Sequence, residues 1–170
     1  MDLMSDERVQ NDKTSRRLAI IMERIQVGGR WAGEHWEAKG AVPDLLPGGS
    51  AHREIYRDDR SVQIAFPGLI LQLKRSEAQG YYLNITSEQP KVFVLWRMHG
   101  EIARPELLTV SYEEGARWID GGENVDGAAL PPDLLPWITE FVAEHYRPEP
   151  RKKPRYASSK DRGVASRRDG

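Results

Sequence analysis

The chain has 170 residues, of which 25 are basic and 26 acidic, giving a formal charge of −1 with neutral histidines. It contains no cysteine, which excludes disulfides, thiolate metal sites, iron–sulfur clusters and cysteine nucleophiles. No apolar run approaches the ~20 residues that a membrane-spanning helix needs. These properties fit the cytoplasmic location that we expect.

The first predicted elements follow a polar N-terminal segment, residues 1–17, which we expect to be flexible. Runs of apolar and β-branched residues, bounded by glycine, proline or charged turns, predict strands. These predicted strands span residues 18–27, 36–42, 51–56, 61–65 and 69–74. Ser76 is then predicted to cap a short helix over residues 77–84.

The second half of the chain begins with a strong strand prediction over residues 91–98. Its continuous apolar run predicts burial on both faces and therefore a central position in a sheet. A short strand is predicted over residues 107–110. Ser111 then caps a predicted helix over residues 112–119. After a loop, apolar residues at helical spacing predict an amphipathic helix over residues 132–146.

Together these elements predict an α+β fold. We expect a single domain over residues 18–146, with one mostly antiparallel sheet, short helices, and the C-terminal amphipathic helix packed on one face. Residues 147–170 have nine basic and three acidic side chains and a charge of +6, whereas the 16 basic and 23 acidic side chains of residues 1–146 give −7. Because residues 147–170 have almost nothing to bury, we expect a disordered basic tail.

Sequence patterns that carry catalysis or cofactor binding are lacking. None of the four histidines lies in an H-x-x-x-H or H-E-x-x-H motif, and neither G-x-S-x-G nor a phosphate-binding glycine loop occurs. We therefore predict no catalytic residue, metal or cofactor. An enzyme with a site assembled from dispersed carboxylates and histidines stays open as an alternative.

The candidate partner-binding residues are mostly basic or aromatic. Trp31 is predicted to be exposed next to Arg30, and tryptophan and arginine are common at interface hot spots. Arg75 and Glu77 place opposite charges at a strand end, which solvated salt bridges would also explain. The complete candidate set is Arg30, Trp31, Trp36, Arg75, Glu77, Arg151, Lys152, Lys153 and Arg155.

Three segments of the chain resemble an uncharacterised family of proteobacterial proteins. The first segment comprises Glu23-Arg24, Trp31, Trp36 and Val42-Pro43. The second comprises Leu73-Lys74-Arg75-Ser76-Glu77-Ala78, Tyr82, Asn84 and the apolar strand at 92–96. The third runs from Ser111-Tyr112-Glu113-Glu114-Gly115-Ala116 to the basic residues at 151–155. The resemblance covers residues 18–155; it is weakest at Ala41-Val42-Pro43-Asp44, where the family often has Leu-Pro-Gly.

The resemblance implies a domain of unknown function, often encoded beside molybdenum-dependent formate dehydrogenase subunits and maturation factors, with no established site residues. We therefore expect a non-catalytic accessory protein that binds a formate dehydrogenase subunit or its maturation machinery. The alternative is a nucleic-acid-associated protein that uses the basic tail. The −7 charge of residues 1–146 argues against this alternative, because it repels the phosphate backbone.

Overall fold

Seven strands and three α-helices make up the part of the chain, residues 13–148, that the computed structural model describes. The strands are β1 Ser15–Val27, β2 Gly33–Pro43, β3 Arg53–Arg57, β4 Ser61–Gln72, β5 Lys91–His99, β6 Ile102–Thr109 and β7 Asn124–Ala129. The helices are α1 Ala78–Ile85, α2 Tyr112–Asp120 and α3 Leu134–His145. Single turns of 3₁₀ helix lie at Gly29–Trp31 and Arg75–Glu77.

The strands divide between two antiparallel sheets. The first has the order β2-β1-β4-β3 and the second the order β6-β5-β7. β2 lies beside β7, and β4 lies beside β6, so that both margins of the second sheet adjoin the first sheet. At one margin the Asp126 carboxylate joins them, accepting hydrogen bonds from the backbone N–H of Ala38 at 2.9 Å and from the Trp96 indole N–H at 2.8 Å.

One core connects both sheets and α3. Alternate side chains of β1 point inward, as the two-residue period of a strand requires, and Ile20 and Met22 are fully buried. Val92 and Val94 of β5 and Ile138 of α3 are buried to the same extent. Burial of an aliphatic side chain of this size contributes about 1.5–3 kcal/mol, so this core is the main stabilising feature of the fold.

The predicted fold class, α+β with antiparallel strands and a C-terminal helix, is confirmed, and β5 is central in its sheet. The strands form two sheets, however, where one was expected. The strands predicted over residues 61–65 and 69–74 are a single strand, β4. Pro67 and Gly68 make a bulge within it, with Gly68 at φ +82°, and do not end it.

Other predicted boundaries also change. The strand predicted at 107–110 begins at Ile102, and β1 includes residues 15–17, which were expected to be flexible. β7 lies in a segment predicted to be a loop, because its asparagine, aspartate and glycine give no strand pattern. Ser76 lies in a 3₁₀ turn and does not cap α1, whereas Ser111 caps α2 as predicted.

Residues 1–12 and 149–170 lie outside the described residues, so the disorder expected of the tail stays a prediction.

The turn between β3 and β4 depends on the carboxylate of Asp58. One oxygen accepts the backbone N–H groups of Arg60 at 2.8 Å and Ser61 at 2.7 Å, and the other accepts the Tyr56 hydroxyl at 2.8 Å. All three hydrogen bonds favour the ionised carboxylate. They lower the pKa of Asp58 from 3.8 to about 2.

We expect the Asp58 carboxyl to stay ionised in the folded chain down to about pH 2. Because its folded pKa lies below its unfolded value, Asp58 stabilises the fold above pH 3.8, and this contribution is lost as the pH falls through about 2. A carbon-detected NMR titration measures the folded pKa. Tyr56→Phe should raise it, since one donor is removed. A titration midpoint at 3.8 in the unmodified chain would contradict this assignment.

Candidate functional site

The candidate residues at or near the first 3₁₀ turn differ in their exposure to solvent. Arg30 is exposed in that turn, and the backbone of Trp31 lies there too, while its side chain is outside what the structure describes. Trp36 is only 6% exposed and belongs to the core, with the Arg24 guanidinium 5.9 Å from its ring. Trp36 is therefore a packing residue in the free chain.

Arg75 and Glu77 also have different surroundings. Glu77 is buried, and its carboxylate accepts the Ser111 hydroxyl at 2.6 Å and a guanidinium N–H of Arg117, which ties the start of α1 to α2. Arg75 is exposed and lines a surface hollow. The tail candidates Arg151, Lys152, Lys153 and Arg155 lie outside the described residues, and their contact with a partner stays a prediction.

Three adjoining hollows follow one end of the first sheet, and we call them together the band. The helix-side hollow, of about 480 Å³, lies between the start of β1 and α3 and includes Arg16 and Arg75. The middle hollow, of about 240 Å³, shares Arg16 with it. The loop-side hollow, of about 270 Å³, shares Leu45 with the middle one. The band is therefore a continuous surface from α3 to the loop after β2.

The loop-side hollow is apolar, and apolar side chains project around it. Leu45 is 91% exposed, and Val42, Leu46 and Ile70 are each about two-fifths exposed. The floor includes the small side chains of Ala19 on β1 and Ala65 on β4, which leave space beneath the loop. Single exposed apolar residues are common on proteins, but adjoining ones are typical of binding surfaces.

The loop that carries Leu45 is held in place by the buried side chain of Asp44. Its carboxylate accepts the backbone N–H groups of Leu46 at 3.0 Å and Gly68 at 2.7 Å, and it lies 3.3 Å from Nε of Arg17. Arg17 also donates to the Leu46 carbonyl. These contacts fix the loop against β1 and β4, and Leu45 projects from it into solvent.

Basic side chains surround this apolar centre. Lys13, Arg16 and Arg75 line the helix-side hollow, and Arg53 lines the loop-side hollow. Within residues 13–148, none of these four cations has a carboxylate within 4.0 Å. The Arg16 guanidinium instead lies 4.5 Å from the centre of the Trp137 ring, a cation–π contact.

Comparison with known proteins places the chain in a family. The sequence model of a family described as "Protein of unknown function (DUF3305)" matches residues 17–155. The chain belongs to the DUF3305 family. The match begins at the third residue of β1 and includes every later element through α3, and with them most of the band. No curated protein and no solved structure matches the chain.

The described residues of this DUF3305 domain show neither a metal-binding cluster nor a membrane-spanning helix. Among residues 13–148, no three His, Asp or Glu side chains are grouped so that they could hold a metal ion. His145 packs against Phe141, with the ring centres 4.4 Å apart. No described helix is long and apolar enough to cross a membrane.

Sequence reasoning missed the centre of the band, although a signal for it is present. Leu45 and Leu46 are adjacent apolar residues in a loop between Pro43 and Pro47, where neither strand nor helix buries them. Arg16 and Arg17 were assigned to a flexible segment and are strand residues. Of the candidate side chains that the structure describes, Arg75 alone lies in the band.

Proposed function

We propose that this DUF3305 protein is a non-catalytic accessory protein that binds a partner protein through the band. The partner that we propose is a formate dehydrogenase subunit or its maturation machinery. The observation that carries the binding role is Leu45, which is 91% exposed on a loop fixed by a buried carboxylate. The choice of partner is supported by the family resemblance and the gene clusters that it implies.

The geometry suits a binding hot spot. Burying one leucine side chain contributes about 1.5–3 kcal/mol, and a rim that excludes water strengthens such a contact. Ordering a mobile side chain costs about 0.5–1.5 kcal/mol, and a loop fixed beforehand avoids part of that cost. The bonds of Asp44 to Leu46 and Gly68 therefore favour binding at Leu45.

The charges around Leu45 also suit a protein partner. Arginine is enriched at protein interfaces, and Arg16 and Arg53 lie at the two ends of the apolar centre. Exposed charges mainly accelerate association and select the orientation of a partner. The tail, with its charge of +6, supplies a second electrostatic contact in this proposal.

The test is a native pull-down of the tagged full chain from formate-grown cells, with nuclease present and mass spectrometry of the recovered proteins. We expect a formate dehydrogenase subunit or maturation factor to be recovered, and Leu45→Ser to reduce its recovery about tenfold or more. Leu107→Ser is the matched control, because Leu107 is 50% exposed on β6 of the other sheet. Thermal unfolding of both variants verifies that they fold.

Three results would overturn the proposal. Equal recovery with Leu45→Ser and Leu107→Ser would exclude the band as the binding surface. A clean deletion that leaves formate dehydrogenase activity and cofactor loading unchanged would exclude the partner. Recovery of nucleic acid without a specific protein, in a sample prepared without nuclease, would favour the nucleic-acid alternative.

A further inference from the structure

We infer that the partner segment seated in the band is acidic and amphipathic. Its apolar side chain enters the loop-side hollow beside Leu45, and its carboxylates face Arg16, Arg53 and Arg75. This inference rests on the proposed function and specifies the chemistry of the partner surface. Two features of the band support this inference. Several of its cations have no carboxylate partner among residues 13–148, and an apolar hollow lies between them.

The arginines of the band differ from several exposed arginines elsewhere. Arg57 pairs with Glu54 at 2.6 Å, and Arg97 pairs with Glu106 at 2.7 Å and with Glu123 at 2.5 Å. In those places the chain supplies its own carboxylates. In the band, Arg17 is the one arginine that residues 13–148 pair in this way, and its partner Asp44 is buried. Residues 13–148 supply no carboxylate to the remaining band cations, which suits these cations to pair with the carboxylates of a partner.

The excess of positive charge is local. Residues 1–146 have a net charge of −7, so an acidic partner would be repelled by most of the surface and attracted at the band. Glu140 and Glu144 line only the helix-side hollow, at the end farthest from Leu45. The Asp44 carboxylate in the other two hollows is paired with Arg17, so Arg16 and Arg53 supply the attraction beside the apolar contact.

The order of side chains along the band gives the order expected in its partner. Arg53 lies at one end of the apolar centre, Leu45 is next, and Arg16 lies on the other side, with Arg75 beyond it. A complementary segment therefore has acidic residues on both sides of an apolar residue. Bidentate pairing with guanidinium groups would fix the register of this segment.

A protein segment fits the band better than a nucleic acid does. Phosphates would also pair with these arginines, but base recognition needs exposed aromatic rings on which bases stack. Apart from Asp44 and Arg53, the loop-side hollow is lined by aliphatic and proline side chains, with no aromatic ring among them. At the helix-side hollow, the Trp137 indole N–H donates to the Lys13 carbonyl at 2.7 Å, and Arg16 already covers its ring.

The test uses the full chain and three synthetic twelve-residue peptides, with binding measured by fluorescence anisotropy at low and moderate salt. The first peptide has glutamates on both sides of a central Leu-Leu pair, the second has lysines in place of the glutamates, and the third has serines in place of the leucines. We expect the first to bind about tenfold or more tightly than the others. A single-stranded oligonucleotide is the fourth probe.

Variants of the chain locate the contact. Combining Arg16→Glu with Arg53→Glu should weaken binding of the first peptide about tenfold, and Leu45→Ser should weaken it as well. Arg60→Glu makes one such charge reversal at the opposite end of the first sheet, where β3 turns into β4, and should leave binding unchanged when it is compared with Arg16→Glu or Arg53→Glu alone.

Several outcomes would overturn the inference. These are equal binding of the acidic and basic peptides, no binding of any peptide, an equal loss with Arg60→Glu, or tighter binding of the oligonucleotide at the same arginines. Failure here is distinct from failure of the proposed function. A partner recovered in a Leu45-dependent manner, but unaffected by the arginine variants, leaves the accessory role intact and removes only the acidic character of its partner.

Discussion

Gly80→Ala is expected to lower the free energy of unfolding by about 3 kcal/mol, despite the higher helix propensity of alanine. Gly80 is buried in α1, and a Cβ atom there would overlap the Ser111 hydroxyl and lie 3.3 Å from the Ser111 Cα. Ser111 is held in place, because its hydroxyl donates to Glu77 at 2.6 Å and accepts the Glu114 N–H at 3.0 Å. The alanine must therefore break the cap of α2 or displace α1.

Urea unfolding measures this effect, and two variants control for it. Gly28→Ala should change stability by less than about 0.5 kcal/mol, because nothing lies within 4 Å of its Cβ position and its φ is −87°. Combining Gly80→Ala with Ser111→Gly removes the atoms that clash, so the pair should cost less than the two single changes added together. Additive losses would show that the overlap is not the cause.

Asn84→Asp is expected to cost about 3 kcal/mol at neutral pH, although the two side chains have nearly the same shape. Asn84 is 1% exposed. Its amide nitrogen donates to the carbonyls of Lys91 at 2.7 Å and Val110 at 2.9 Å, and its oxygen accepts the Lys91 N–H at 3.0 Å. A carboxylate would place a charged oxygen against two buried carbonyl oxygens, with no proton to donate.

The loss should depend on pH. Burial and the two carbonyls disfavour ionisation, so the pKa of the introduced carboxyl is raised in the folded chain above its unfolded value. The destabilisation is then smallest below the unfolded pKa and grows as the pH rises toward the folded pKa. Urea unfolding at pH 4 and pH 7 measures the difference. Asn124→Asp, at an exposed position at the start of β7, should show no such growth. An equal loss for Asn84→Asp at both pH values would contradict this explanation.

The elements that could be predicted from the sequence are those whose signals are local. β5 has an uninterrupted apolar run, and α2 has a capping serine three residues before a glutamate that donates its backbone N–H to that serine. Each signal lies within about ten residues. The division into two sheets is not local, because β1 pairs with β4 and β5 pairs with β7 across intervening elements. The spacing of apolar residues along a strand does not show which other strand it pairs with.

The band could not be predicted for a similar reason. The loop after β2 is fixed because the Asp44 carboxylate accepts a hydrogen bond from Gly68 and forms an ion pair with Arg17, and both residues are distant in sequence. Glu77 was predicted to be a surface charge, but its partners Ser111 and Arg117 lie more than 30 residues away. The exposure of Arg75 could be predicted, because a cation at a strand end stays in solvent without any contact to a distant residue.

The Asp126 carboxylate has a consequence for how the molecule comes apart. It holds an amide of one sheet and an indole of the other at the same margin, through Ala38 and Trp96. Because Asp126 and Trp96 belong to the same sheet, opening that margin would break the hydrogen bond from Ala38 and leave its backbone N–H without a partner, before any core side chain had been released. Partial opening at this seam therefore carries a cost, which favours loss of the native state as a single event in which both sheets come apart together.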